Sequence, residues 1–325
     1  MTTGRPGGRI AVAACALLAA GAAMAQPYPA KPVRLIIGFA AGGGTDVVAR
    51  ALAQQLTETL GQPVTVDNRT GAGGIIATEL LAKAPPDGYT LGVGSAAGFA
   101  INPNLVAKLP YDPVRDFAPI GLFATLSYAI DVHPSLPVRT LRDLVALAKA
   151  KPGQLNYGSA GLGSSTHLAI EQMLLAANVR MTHVPYKGNT PAMTALMSGE
   201  VAIVFDPVIT SLPQIRAGRV RALAVTTAKR SALLPEVPTA SEAGIKGYEA
   251  GNWFGMFAPF GTPQPVLDRL NAAVNAAMTS AAMRERMAQQ GAEPLSGTPQ
   301  QLADHVRSEL AKFAKIVKSA GIRTE

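Results

Sequence analysis

The sequence predicts a two-lobed α/β protein, and three observations carry that prediction. Strand-like apolar runs alternate with helix-like segments along the chain. The first hundred residues read in the order strand, helix, strand, helix, strand, which argues for a mostly parallel sheet covered by helices. A single local design, in which a strand meets a glycine-rich loop, a Ser or Thr and then a helix, occurs once in each half of the chain.

The elements of the first lobe follow in order. "VRLIIGF" (33–39) is a buried-strand run, after which Val48, Leu52 and Leu56 repeat at helical spacing. "PVTVDN" (63–68) is the next strand, followed by "RTGAGG" and the helical "IIATELLAKA". Pro85-Pro86-Asp87-Gly88 is a turn, and "YTLGVGS" (89–95) is a third strand. A second set begins near residue 126. "SYAIDVHP", "QLNYGSA", "THVPYKG", "VAIVFD" and "RVRALAVTT" (219–227) read as strands. "TLRDLVALAKAKPG", "THLAIEQMLLAA" and "NTPAMTALMSG" read as the helices between them. "NWFGMFAP" is a last strand, and two terminal helices each open with Thr-Pro, at Thr262-Pro263 and Thr298-Pro299. Thr at the N-cap with Pro in the first turn is a helix-start signal. The boundaries this implies are residues 26–125 and 228–325 for lobe 1 and 126–227 for lobe 2, with the hinge at the crossings near 125 and 228.

Residues 1–25 read as a secretory signal peptide. "MTTGRPGGR" is a positive n-region, "IAVAACALLAAGAA" (10–23) an apolar h-region, and Ala23-Met24-Ala25 a cleavage site that makes Gln26 the first mature residue. The apolar stretch is short of the ~20 residues that span a bilayer. Cys15 is the one cysteine, so the mature chain has no disulfide, thiolate metal site or cysteine nucleophile. A periplasmic protein is the expectation. Removing Arg5 and Arg9 from the 29 basic residues leaves 27 against 21 acidic ones. That charge is spread along the chain and aromatics are 5%, which argues against nucleic-acid binding and fits an anionic ligand.

The recurring turn is the main functional signal. "IIGFAAGGGTDVVAR" (36–50) and "LNYGSAGLGSSTHLA" (155–169) lie one in each lobe. Loops of this kind sit beyond the carboxyl ends of the strands, where ligands bind in open α/β sheets. The first turn of a helix leaves N–H groups unpaired, and the helix dipole adds roughly 0.3–1 kcal/mol of attraction for an anion. Such a turn binds an anion without a cationic side chain, which accounts for the absence of Lys and Arg from the two glycine turns themselves. The dinucleotide pattern fails at Val47, and the P-loop pattern fails where Gly44 stands in place of Lys. For one loop alone, a tight turn capped by Thr45 or Ser164 is a sufficient account. Two of the same design facing one cleft point to a shared ligand. Asp46 is expected to face away from it. Arg69 is expected to anchor its own loop, and Ser95, ending its strand, to line the cleft. Asp206 has two readings: capping of loop amides, or acceptance of a hydrogen bond from a ligand donor or a water.

Catalysis finds little support. His133, His167, His183 and His305 form no metal-ligand spacing. The nucleophile elbow is absent, because Tyr157 stands where its first Gly belongs. No carboxylate pair lies beside the glycine loops. The chain is therefore expected to be no enzyme and to hold no metal or cofactor.

The motifs "GFAAGGGTDVVAR", "VDNRTGAGG", "PPDGYTL", "YDPVRDFAPIG", "LNYGSAGLGSSTHLAIE", "VPYKGNTPAMTALMSGEV", "RALAVTTAKRSALLPEVPT" and "GMFAPFGTP" resemble, in order, the Bug family of substrate-binding receptors of tripartite tricarboxylate transporters. The resemblance spans residues 27–325. It implies a type II periplasmic-binding-protein ("Venus flytrap") fold with an interlobe cleft. It also implies a small mono-, di- or tricarboxylate ligand, aromatic ones included, handed by a monomeric receptor to membrane permease subunits. Carried over position by position, the ligand contacts are Phe39, Ala40, Gly44 and Thr45, then Ser159, Gly161, Ser164 and Ser165, with Asp206 facing the site. Alanines at 40 and 41, where many relatives have proline nearby, and the polar strand "SYAID" (127–131) depart from the family pattern. A sensor presenting its bound carboxylate to a signalling protein is the alternative use of the same receptor, and an exported enzyme the third.

Overall fold

The computed structural model describes residues 28–322 apart from Gly43, so the predicted export segment lies outside the described residues. In chain order the strands are β1 Val33–Ile37, β2 Val64–Asn68, β3 Thr90–Ser95, β4 Phe117–Leu126, β5 Tyr128–Val132, β6 Asn156–Ser159, β7 Thr182–Pro185, β8 Ile203–Pro207, β9 Arg221–Val225, β10 Asn252–Pro259 and β11 Ala292–Pro294. The helices are α1 Gly44–Leu60, α2 Ile75–Ala82, α3 Asn102–Leu105, α4 Leu141–Ala150, α5 Ser165–Ala177, α6 Asn189–Ser198, α7 Val208–Arg216, α8 Gln264–Thr279, α9 Ala281–Gln289 and α10 Pro299–Ala320.

Two sheets form. The first has the order β11-β4-β10-β3-β1-β2 and the second β7-β6-β8-β5-β9. Each has a parallel centre, with β1 between β2 and β3 in one and β6 between β7 and β8 in the other. Antiparallel strands extend both: β10, β4 and β11 on the first, β5 and β9 on the second. The central strands are buried on both faces because helices cover both. Leu35, Ile37, Val48, Leu52 and Leu56 pack in the core on one side of the first sheet, and Phe99, Phe257, Leu302 and Phe313 on the other. The second sheet has its own core around Ile130, Tyr157, Ile170, Met173 and Phe205.

The chain crosses between the sheets at Ser127, with β4 ending at Leu126 and β5 starting at Tyr128. The return differs from the expected 228. Leu234 and Val237 pack with β9, and Ala240, Ile245, Tyr248 and Ala250 pack in the second core. The Val225 and Ala250 amides donate to Pro238 O and Thr226 O. The second crossing therefore falls at Gly251, where a Cβ would stand 2.9 Å from Leu126 O. The stretch after 228 lacks regular elements, so hydrophobic periodicity does not reveal which core it joins.

Five further elements escaped the periodicity reading, the four-residue α3 among them. β4 contains Pro119 and Gly121, and it tolerates the proline at a register shift against β10. α7 contains Pro213, and α9 and the short β11 lie between the two anticipated terminal helices. Thr298 caps α10 as expected, through a capping box with Gln301. Thr262 does not cap α8: its hydroxyl donates to Pro259 O, and Pro263 takes the N-cap position.

Candidate functional site

A cavity of about 1120 Å³ opens between the two sheets, and both glycine loops reach it. Phe39, Ala40, Gly42, Gly44 and Thr45 line one side, and Gly163, Ser164 and Ser165 the other. Seven of the ten predicted contacts meet there: Phe39, Ala40, Gly44, Thr45, Ser164, Ser165 and Asp206. Ser95, Ser159 and Gly161 are outside the wall. Ser95 is buried within the β3–β10 pairing, opposite Phe254. Ser159 is fully buried, with its hydroxyl 2.7 Å from His183 Nε2 and accepting from the Gly161 amide at 3.1 Å. Gly161 adopts φ +124°, and a Cβ there would meet Tyr186 O at 3.0 Å. These two residues shape the loop that presents Ser164 and Ser165.

The loop amides are largely consumed internally. Gly42 N donates to Asp46 Oδ2 at 2.9 Å, Ala160 N to Thr166 Oγ1 at 3.1 Å and Gly163 N to His167 Nδ1 at 3.1 Å. What faces the cavity are the starts of α1 and α5, at Gly44, Thr45 and Ser165, whose first-turn amides have no intrahelical acceptor. Gly188 and Asn189, at the start of α6, line it as well. Ser164 is the N-cap of α5, its hydroxyl accepting from His167 N at 3.2 Å. Tyr128 OH donates to Ser165 Oγ at 2.9 Å. That contact takes up a lone pair on Ser165 and leaves its own proton to donate into the cavity.

Asp46 is absent from the cavity wall. Its buried carboxylate accepts from Gly42 N, Arg50 Nε and Asn68 Nδ2, each at 2.9 Å. Burial opposes its ionisation, but those bonds prevail and hold it below the usual carboxylate range. Arg69 pairs with Asp67 at 3.0 Å and stays out of the cavity. Among the described lining residues there is no Lys, Arg or His, and Asp206 is the one carboxylate.

Asp206 ends β8 on the cavity floor. Thr210 Oγ1 donates to its Oδ2 at 2.5 Å, while Oδ1 is buried without a protein partner. Burial pushes its pKa up to about 7, with the Thr210 bond working the other way. On the same face of the sheet, Asp131 of β5 accepts from Ser211 Oγ of α7. Burial pushes Asp131 up to about 8; the Ser211 bond pulls it back, and the neighbouring Asp206 adds to the rise.

Sequence reasoning missed several wall residues. Thr210 and Gln214 ride on α7, the helix hidden by Pro213. Met193 and Met197 of α6 face the cavity, although at helical spacing they look like core residues. Asn252 opens β10 beside the second crossing. Among the described residues no group of His, Cys, Asp and Glu is placed to hold a metal ion, and no helix is long and apolar enough to cross a membrane.

Two α/β lobes joined by two crossings, with a ligand-sized cavity between them, define the periplasmic-binding-protein class of solute receptors, and solved members of that class share this fold. The family model for the tripartite tricarboxylate transporter family receptor matches residues 48–322, and the chain belongs to that family. It is similar to Protein BugT of Bordetella pertussis, with 38% identity over 92% of each chain. It is also similar to Rpa4515 of R. palustris, solved with adipate, with 41% identity, a TM-score of 0.82, and coverage of 91% of this chain and 99% of that one. MatC of Rhodopseudomonas palustris, solved with bound malate, shares 34% identity at a TM-score of 0.77, covering 89% of this chain and 100% of that one. As a member of this receptor family, the chain is no enzyme.

Proposed function

We propose that this receptor captures a small organic carboxylate in the periplasm and delivers it to the membrane permease of a tripartite transporter. One observation carries the reading: two helix N-termini from separate lobes converge on a single cavity whose described lining holds no basic side chain. The carboxylate oxygens seat against the first-turn amides of α1 and α5, with the Ser165 hydroxyl as a further donor. Hydrogen bonds to a charged group contribute about 1.5–3 kcal/mol each. Set against an association cost of roughly 4–15 kcal/mol, four to six of them leave an affinity near micromolar. Adipate and malate in the related receptors support this ligand class. The signal-like residues 1–25 support export, with cleavage after Ala25, and the receptor works as a monomer.

The test is calorimetry on mature protein unfolded and refolded to free it of ligand, titrated with a broad panel of mono-, di- and tricarboxylates. At least one binds at micromolar Kd, and Ser165→Ala weakens that binding about tenfold or more. A panel that yields no heat and no thermal shift defeats the proposal.

A further inference from the structure

The helix starts account for one end of a ligand, and the rest of the wall has a different character. Three residues that line the cavity each carry a buried side-chain oxygen with no protein partner: Asp206 Oδ1, Gln214 Oε1 and Asn252 Oδ1. The Gln214 and Asn252 oxygens are acceptors, and Asp206 Oδ1 is one whenever its carboxylate is ionised, the form an ammonium partner favours. Thr210, the nearest hydroxyl, spends its proton on the other Asp206 oxygen. Asp206 is 2% exposed and is the only carboxylate among the described lining residues, with no cation among them to neutralise it. Asp206 and Gln214 come from the second lobe, whereas Asn252 opens β10 of the first. Buried acceptors cost free energy unless a donor reaches them. A plain carboxylate brings no donor, and its apolar carbons would leave these oxygens unmet.

We propose that Asp206, Gln214 and Asn252 form a donor-reading subsite, and that the ligand is a carboxylate which also carries a hydroxyl or ammonium group at its far end. This rests on the carboxylate reading above. The helix N-termini take the anionic end, and the acceptor wall takes the donor end. Asn252 on one lobe and Asp206 on the other then grip that group from both sides of the cleft. Met193 and Met197 of α6 supply an adaptable apolar wall for the intervening carbons.

The probes are matched series of four to eight carbons: plain alkanoates, ω-hydroxyalkanoates and ω-aminoalkanoates, titrated into ligand-free protein. At one chain length the hydroxyl or ammonium member binds about 10- to 100-fold tighter than the plain acid. Asp206→Ala brings the affinity ratio between the hydroxyl or ammonium member and the plain acid down to about one. Asp206→Asn, which keeps shape and one acceptor oxygen, retains the hydroxyl preference and loses most of the ammonium preference. Because the comparison is between ligands on one protein, a general loss of folding cannot imitate it. Plain acids that match their hydroxyl and amino partners at every length overturn the subsite, since water would then serve those oxygens. Dicarboxylate binding with no response to any member of the series also overturns it, and leaves the carboxylate reading standing. A receptor that binds no carboxylate of any kind removes both.

Discussion

At the scale of single residues, Asp131 shows what a buried charge costs the fold. It is fully buried in β5, bonded through one oxygen to Ser211, and its other oxygen has no protein partner. The folded protein therefore holds its proton more tightly than the unfolded chain does, with a pKa pushed to about 8 against a usual 3.8. Between those values the folded state binds more protons, so stability falls as pH rises, by at most about 1.4 kcal/mol per pH unit, and the penalty levels off above pH 8. Asp131→Asn keeps an acceptor for Ser211 and removes the titration. Chemical denaturation of both proteins at pH 4.5, 6, 7.5 and 9 is predicted to give equal stabilities at the acid end. The variant then becomes progressively more stable until about pH 8. A constant difference across the series would show that Asp131 is ionised in the fold throughout.

At the scale of elements, the loop between β6 and α5 is stiffened by its own side chains. Ser159 joins the Gly161 amide to His183, and His167 takes the Gly163 amide on Nδ1. The two imidazoles stack at 3.9 Å. Burial, aided by His183, pushes His167 down to about 3, so it is neutral and able to accept. His167→Ala strands the Gly163 N–H at a cost of about 1–3 kcal/mol. It is predicted to lower carboxylate affinity about tenfold through a slackened loop, with His167→Asn restoring most of it because Oδ1 can replace Nδ1; calorimetry of both variants tests this. Equal affinity in His167→Ala would detach the loop's rigidity from binding. Much of this element was legible in the sequence. Strand, glycines, Ser164 and helix stand in chain order, and local order is what hydrophobic periodicity and capping report. Ser159 and Gly161 were misplaced because a loop contact and a loop brace look alike in one dimension. The same limit hid α7 behind Pro213, and with it Thr210 and Gln214, which join Asp206 and Asn252 in lining one cavity only once β8 and β10 have been brought together.

At the scale of the whole molecule, the two lobes are joined where chain segments touch rather than where either lobe ends. Ser127 and Thr227 share a buried hydrogen bond at 2.9 Å, Tyr128 N donates to Thr226 Oγ1 at 3.0 Å, and Gly251 lies against Leu126. Leu168 of α5 packs among first-lobe residues including Phe99, Leu105 and Trp253, so the lobes also meet beside the cavity. Closure over a ligand, as a rotation about the two crossings, would bring the start of α1 and Asn252 on one jaw toward the start of α5, Asp206 and Gln214 on the other. Gly251 is the position at which that rotation is most easily obstructed. A Cβ there would stand 2.9 Å from Leu126 O and 3.3 Å from Thr125 Oγ1, and both are held by the β4–β10 ladder. Gly251→Val should force the crossings apart while sparing both cores, costing about 1–3 kcal/mol of stability. It is predicted to weaken carboxylate binding at least tenfold, and to abolish the fall in radius of gyration that ligand produces in the unaltered protein, measured by small-angle X-ray scattering. A Gly251→Val protein that binds and compacts like its parent would place the hinge elsewhere.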